Sequence, residues 1–197
     1  MSWMQKLYET YEQCHGNEPL ASNPLMPISH TMKQAHIEIS IDQDGNFKKA
    51  KVIKKEETLI PATEESAGRS GSKVAPHPLC DKIHYCASDY PVFGGKKLAC
   101  FGNYEKLLNN WCQSEYRHSK AEAVLKYVRK KRVLKDLVQE KILFLDDTGK
   151  LLTGWDGENS PDIFKMLTAH PNTKEKDQGD AFIRWQVLID GNLCPEV

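Results

Sequence analysis

His77, Cys80, His84 and Cys86 bring two imidazoles and two thiols into one short stretch, the donor types that tetrahedral structural zinc accepts. Their spacing, His-x2-Cys-x3-His-x-Cys, matches no common zinc ribbon or finger. They read instead as small buried thiols beside polar histidines, and neither a metal nor another cofactor is expected. Asp146-Asp147 has the form of a metal-binding carboxylate pair, but Thr148-Gly149 follows it and strand-like residues flank it, which is hairpin-turn chemistry. Asp42 and Asp44, just before Gly45, read the same way. The sequence has no Gly-Lys-Thr/Ser phosphate loop, no Gly-x-Ser-x-Gly elbow and no His-Glu-x-x-His zinc helix. A cysteine nucleophile would need a base and an oxyanion site, and neither can be located beside Cys80 or Cys86. The chain is therefore not expected to be an enzyme; the alternatives are a metal-dependent nucleic-acid-processing enzyme using Asp146, Asp147 and the histidines, or a purely structural adaptor subunit whose basic faces meet only acidic protein.

The cations are the other chemistry-bearing group. Their total is balanced, 27 Lys and Arg against 27 Asp and Glu, which argues against a protein that coats nucleic acid non-specifically. Their distribution is uneven. Residues 117–135 hold Arg117, Lys120, Lys126, Arg129, Lys130, Lys131, Arg132 and Lys135 against the single acid Glu122, and Lys48, Lys49, Lys51, Lys54 and Lys55 precede Glu56 without an acid among them. Such runs suit phosphate, whose neutralisation releases counterions. A solvated helix face and a lysine-studded sheet edge fit them equally well.

The elements that must position these groups follow from periodicity. Trp3, Met4, Leu7, Tyr8 and Tyr11 form the stripe of an amphipathic helix, expected to face the core. Three prolines between Asn17 and His30 predict a loop or arm. Ile37, Ile39 and Ile41 alternate with polar residues, Asp42-Gln43-Asp44-Gly45 supplies a turn, and Phe47 to Ile53 returns, which is a β-hairpin. Residues 62–78 have few large apolar side chains and are expected to form one long flexible loop. Helical spacing resumes over Tyr104, Leu107, Leu108, Trp111 and Cys112, and again from about Lys120 through Val138. Ile142 to Leu145 and Leu151-Leu152 predict a second hairpin, Ser160-Pro161-Asp162 a helix start running to Ala169, and Phe182 to Ile189 a closing strand. The class is α+β, a mostly antiparallel sheet with packed helices.

With 40% hydrophobic residues in 197, the chain can bury one core, so a single domain is expected. No run approaches the ~20 apolar residues of a membrane span, and the opening lacks a signal-peptide pattern, so a soluble cytoplasmic protein with its six cysteines reduced is the reading.

Several segments, in order, resemble the large subunits of type I-C CRISPR-Cas surveillance complexes. Leu7-Tyr8-Glu9-Thr10-Tyr11 is similar to that family's Leu-Tyr-x-x-Tyr opening, and the hairpin with Asp44-Gly45 at its turn follows. Arg69-Ser70-Gly71, then Pro76, then Leu79-Cys80-Asp81-Lys82 and Tyr85 resemble its Arg-Ser/Thr-Ser/Gly, Pro, Leu-x-Asp-Asn, Tyr pattern. Phe182-Ile183-Arg184-Trp185-Gln186-Val187 resembles its Phe-x-Arg-Phe/Trp-x-Val strand. Two positions depart: Lys82 replaces an asparagine, and His77 stands where a polar residue such as asparagine is expected. The resemblance implies the N-terminal domain of a longer large subunit that helps recognise the protospacer-adjacent motif in double-stranded target DNA, while guide RNA reads the sequence. It implies as partners the subunit capping the crRNA 5′ end, the repeated backbone subunits and a recruited helicase-nuclease. On this reading Arg69, Ser70, Lys73, His77 and Lys82 form a motif-reading loop, and Lys126, Arg129, Lys130, Lys131 and Arg132 a phosphate track for a displaced strand.

Overall fold

The computed structural model describes residues 3–16, 27, 29–69, 73–189 and 192–194. The alternation at Ile37, Ile39 and Ile41 is realised in strand β1 (His30–Asp42), where all three side chains are fully buried. It turns into β2 (Phe47–Pro61), antiparallel to it. The turn is built by Asp42, whose Oδ1 accepts the backbone N–H groups of Asp44 (3.0 Å) and Asn46 (2.8 Å).

The remaining strands join this hairpin. A short helix α2 (Glu64–Ala67) leads to β3 (Cys80–Lys82) and the single turn of α3 (Ile83–Cys86). Helices α4 (Phe101–Gln113), α5 (Ser119–Val128), α6 (Val133–Gln139) and α7 (Asp162–Met166) precede β4 (Phe182–Ile189) and β5 (Asn192–Leu193). The sheet runs β2-β1-β4-β3, with β5 also on β4, and every pairing is antiparallel except β1 with β4. Helices and a mostly antiparallel sheet make this an α+β fold.

The parallel register sets Ile37 beside Ile183, Ile39 beside Trp185 and Ile41 beside Val187, so one sheet face is a block of buried apolar side chains. Each contributes about 1.5–3 kcal/mol relative to exposure. Helices α4 and α5 cover it. The Tyr127 ring of α5 meets Trp185 edge-on at 5.7 Å, and Trp185 Nε1 donates to Tyr104 Oη of α4 at 2.9 Å. Tyr104 in turn donates to the Pro78 carbonyl at 2.8 Å, tying the core to the segment ahead of β3. Buried Gln178 binds the Phe144 and Leu152 carbonyls and accepts the Phe144 N–H, fastening the 144–152 excursion to the body.

Several sequence expectations need correction. The opening stripe lies on helix α1 (Trp3–Gly16), but Trp3, Leu7 and Tyr8 are exposed, because α1 lies on none of the described elements closely enough to be buried. The helix expected from Lys120 through Val138 breaks after Val128: Lys131 takes φ +55° within a run of four cations, and the buried Asp89 carboxylate accepts the Leu134 and Lys135 N–H groups that open α6. The hairpin at Asp146-Asp147 reduces to one bridge, Leu145 with Leu151. In residues 62–78, α2 is opened by a Thr63–Ser66 capping box, and Ala75 and His77 are buried.

Gly45 has φ +67°, and a Cβ there would stand 2.6 Å from the Tyr127 backbone nitrogen of α5. Gly45→Ala is expected to lose on the order of 1–3 kcal/mol in urea unfolding. An unchanged midpoint would mean that the turn does not rest on α5.

Candidate nucleic-acid interface

Asp81, in β3, is fully buried and accepts four hydrogen bonds. Arg69 Nη1 donates to its Oδ2 at 2.8 Å and Arg69 Nη2 to its Oδ1 at 2.9 Å, a bidentate fork. The His77 backbone N–H reaches Oδ2 at 2.7 Å and the Lys82 N–H reaches Oδ1 at 2.8 Å. Arg69 also donates to the Ala75 carbonyl at 3.1 Å and lies over the Tyr85 ring, 4.6 Å from its centroid. The segment that ends at β3 is thereby clasped at Arg69 and Asp81 by one ion pair. The sequence placed Arg69 among motif readers; its guanidinium is occupied by this clasp.

The other predicted loop residues take different positions. Ser70 lies outside the described residues. Lys73 is exposed on the loop and makes no ion pair among the described residues. The His77 ring is fully buried, and neither ring nitrogen has a hydrogen-bond partner among the described residues. Burial, with Lys33 and Arg69 nearby, pushes it down to about 4. Lys82 points away from the clasp, pairing with Asp180 at 2.8 Å; Asp180 is shared with Lys97.

The basic segment after α5 is partnered within the fold. Lys126 donates to the Gln43 carbonyl at 3.1 Å and Lys130 to Asn46 Oδ1 at 2.7 Å, so both brace the β1–β2 turn. Arg129 reaches Glu105 (2.8 Å) and Asn109, and Arg132 reaches Asp136 (2.6 Å). Lys131 makes no ion pair among the described residues. The contacts of Lys126, Arg129 and Lys130 are at least partly exposed and worth about 0–1 kcal/mol each, weak enough for phosphate to replace, whereas Asp136 is buried and also accepts from the Tyr127 hydroxyl, so Arg132 can present its charge but not leave its carboxylate. No hydrogen bond or ion pair joins this group to the Asp81 clasp among the described residues. On β2, Lys48 pairs with Asp42 and Lys51 with Glu38, while Lys55 makes no ion pair among the described residues.

The quartet of His77, Cys80, His84 and Cys86 is buried but dispersed in function. His84 Nδ1 sits 3.0 Å from the Leu98 carbonyl. Burial pushes the Cys80 thiol up to about 12 and Cys86 well above its ordinary range, which leaves both as neutral thiols. Among the described residues no three His, Cys, Asp or Glu side chains gather as metal ligands. Asp146 Oδ1 is taken up by the N–H groups of Thr148 and Lys150 and by the Thr148 hydroxyl.

Sequence reasoning missed a second basic group, Lys33 and His36 on β1, which face a cleft with Lys55 and Lys82. Only the alternation of β1 hinted at it. None of the described helices is long and apolar enough to cross a membrane.

A family model described as CRISPR-associated protein (Cas_Csd1) matches residues 7–196. The chain belongs to this family of CRISPR-associated proteins. Comparison with curated proteins gave no match.

Two stability outcomes follow. Asp81→Asn leaves Arg69 without its counter-charge in a mostly buried position and is expected to lose about 3–5 kcal/mol, read from the urea midpoint; a change below 1 kcal/mol would show that the clasp is not structural. His77 is held neutral when folded, so between pH 6.5 and about 4 the unfolded chain binds a proton that the folded chain does not. Its stability contribution is complete above pH 6.5 and drains as the pH falls through that window, by up to about 3 kcal/mol. His77→Leu should flatten this part of the stability–pH curve, and an unaltered slope would contradict the assignment.

Proposed function

We propose that this chain is a non-catalytic large-subunit domain of a type I-C CRISPR-Cas interference complex. In this role it contributes to recognition of the protospacer-adjacent motif in double-stranded target DNA and to binding of the opened strands. The observation that carries the reading is the Arg69–Asp81 clasp. It joins the two separated motif segments, Arg69-Ser70-Gly71 and Leu79-Cys80-Asp81-Lys82, into one closed loop with an exposed lysine on it.

The reading divides the labour by chemistry. Base edges are distinguished by directional hydrogen bonds from a side chain held in register, which a loop with fixed ends can supply. Lys73 is the exposed cation of that loop, while Arg69 and Asp81 hold its ends. Phosphates need only charge, which Lys126, Arg129, Lys130, Lys131 and Arg132 can supply interchangeably. Guide RNA pairs with the protospacer, and strand cleavage belongs to a recruited helicase-nuclease. The crRNA 5′-end-capping subunit and the repeated backbone subunits are the partners this role requires. Buried neutral thiols and a turn-bound Asp146 fit a binding role better than a catalytic one.

The test is reconstitution of the large subunit with crRNA and the other subunits, followed by binding to duplexes with correct and scrambled flanks. Lys73→Ala should lower the affinity ratio between the two flanks by about five- to a hundredfold, equivalent to ~1–3 kcal/mol. Lys130→Ala should weaken both duplexes alike and reduce the salt slope by about 0.9. An unchanged flank ratio in Lys73→Ala would reject this placement of motif reading.

A further inference from the structure

The sheet's second face is polar where its first is apolar. Glu38 sits beside Arg184 and Ser40 beside Gln186, and both pairs are bonded across the β1–β4 boundary. At the β3 end of β1 and β4 lies a cleft of about 410 Å³, lined by Lys33, His36, Lys55, Lys82, Phe182 and Asp180 among others. From this composition, and resting on the nucleic-acid reading above, we propose that the cleft binds one nucleotide unit of a single strand, its phosphate held by Lys33 and Lys55 and its base laid against Phe182.

The charge of the cleft is the first support. Lys33 and Lys55 make no ion pair among the described residues, and Asp180 is already shared by Lys82 and Lys97. An anion entering therefore meets the exposed, uncommitted Lys55 ammonium, the half-buried Lys33, which also lies near Arg69 and Asp81, and a carboxylate that two other lysines neutralise. Lys55 is also placed there by a local irregularity. The β1–β2 register shifts between Ala35 and Ile37, so β2 carries extra residues opposite His36, and Lys55 adopts φ +52°. A bulge of this kind re-aims a side chain, and a non-glycine residue with positive φ in a strand is uncommon.

The aromatic wall is the second support. His36 and Phe182 stand side by side on neighbouring strands, ring centroids 6.1 Å apart and 28° from parallel. His36 Nδ1 accepts the Phe182 backbone N–H at 3.0 Å, so the neutral ring carries its proton on Nε2. Burial, with Lys55 and Lys82 close by, pushes its pKa down and keeps the ring uncharged. A half-exposed aromatic surface with lysines around it, Lys82 Nζ lying 5.8 Å from the Phe182 ring centroid and Lys55 across the cleft, is the pairing that single strands use, with bases stacked and phosphates neutralised. The volume lies within the range of small-ligand pockets. The adjoining cleft shares Asp180, and its Lys96 and Lys97 are already paired with Glu175 and Asp180, so it offers phosphate no lysine free of an acid.

The experiment uses the whole chain and fluorescent single strands, DNA and RNA of one sequence, titrated at several salt concentrations. Wild type should bind a single strand, and the DNA and RNA arms identify which strand the cleft prefers. Lys33→Gln and Lys55→Gln should each lower the salt slope by about 0.7, while Lys106→Gln, the same charge change on α4 outside the cleft, should not. Phe182→Leu should weaken binding about five- to a hundredfold with an unchanged salt slope, thermal unfolding having shown that it folds. No binding of either strand, equal effects of Lys106→Gln and Lys55→Gln, or competition by inorganic phosphate or poly-glutamate as effective as by the strand would each overturn the proposal. Flank discrimination by Lys73 is read separately in the assembled complex, so either reading can fail while the other stands.

Discussion

A single buried carboxylate organises the segment from Arg69 to β3. Asp81 has no access to solvent, and its two oxygens accept the Arg69 fork and two backbone N–H groups. A carboxylate taken out of water must be repaid by several good hydrogen bonds, so Arg69 and the loop backbone at His77 are not free to move independently of β3. Because β3 is itself hydrogen-bonded to β4 and its neighbour Pro78 is held by Tyr104, the loop's ends are referenced to the core through a short chain of contacts. Between these fixed ends Lys73 is exposed while Ala75, His77 and Leu79 are buried, so a single cation is presented on an otherwise anchored segment.

The sheet extends the same economy to two surfaces. The β1–β4 pairing is parallel and in register, so alternate residues sort into an apolar face under α4 and α5 and a polar face built on Glu38–Arg184 and Ser40–Gln186. The order of the strands then sets Lys33 and His36 of β1 near Lys82 of β3 and Phe182 of β4. Four positions spread over most of the chain become one cleft.

Much of the scaffold was legible in the residues. The isoleucine alternation with Asp42 and Gly45 at its end defined the β1–β2 hairpin, the apolar run from Phe182 defined β4, and Asp146 read correctly as a turn residue. The site was less so. Arg69 lies in a stretch whose composition suggests only irregular chain and Asp81 just past it, and nothing in the spacing of the two shows that they meet. The trp-tyr stripe of α1 predicts a buried face, but periodicity cannot name the surface that buries it, and here Trp3, Leu7 and Tyr8 face outward. Likewise, four cations in a row after α5 read as a helix face, whereas Lys131 turns the chain with a positive φ. Lys55 was visible only as part of a basic run, since a bulge has no clear sequence signature without a glycine.

The proposed motif reading requires the Arg69–Asp81 geometry, and not merely its charge, to fix the segment that carries Lys73. Arg69→Lys keeps the cation but loses the two-pronged fork. In the assembled complex, the account predicts that this variant retains its affinity for duplexes with scrambled flanks while its preference for the correct flank falls at least severalfold. A wild-type flank preference in an assembled Arg69→Lys complex would contradict it.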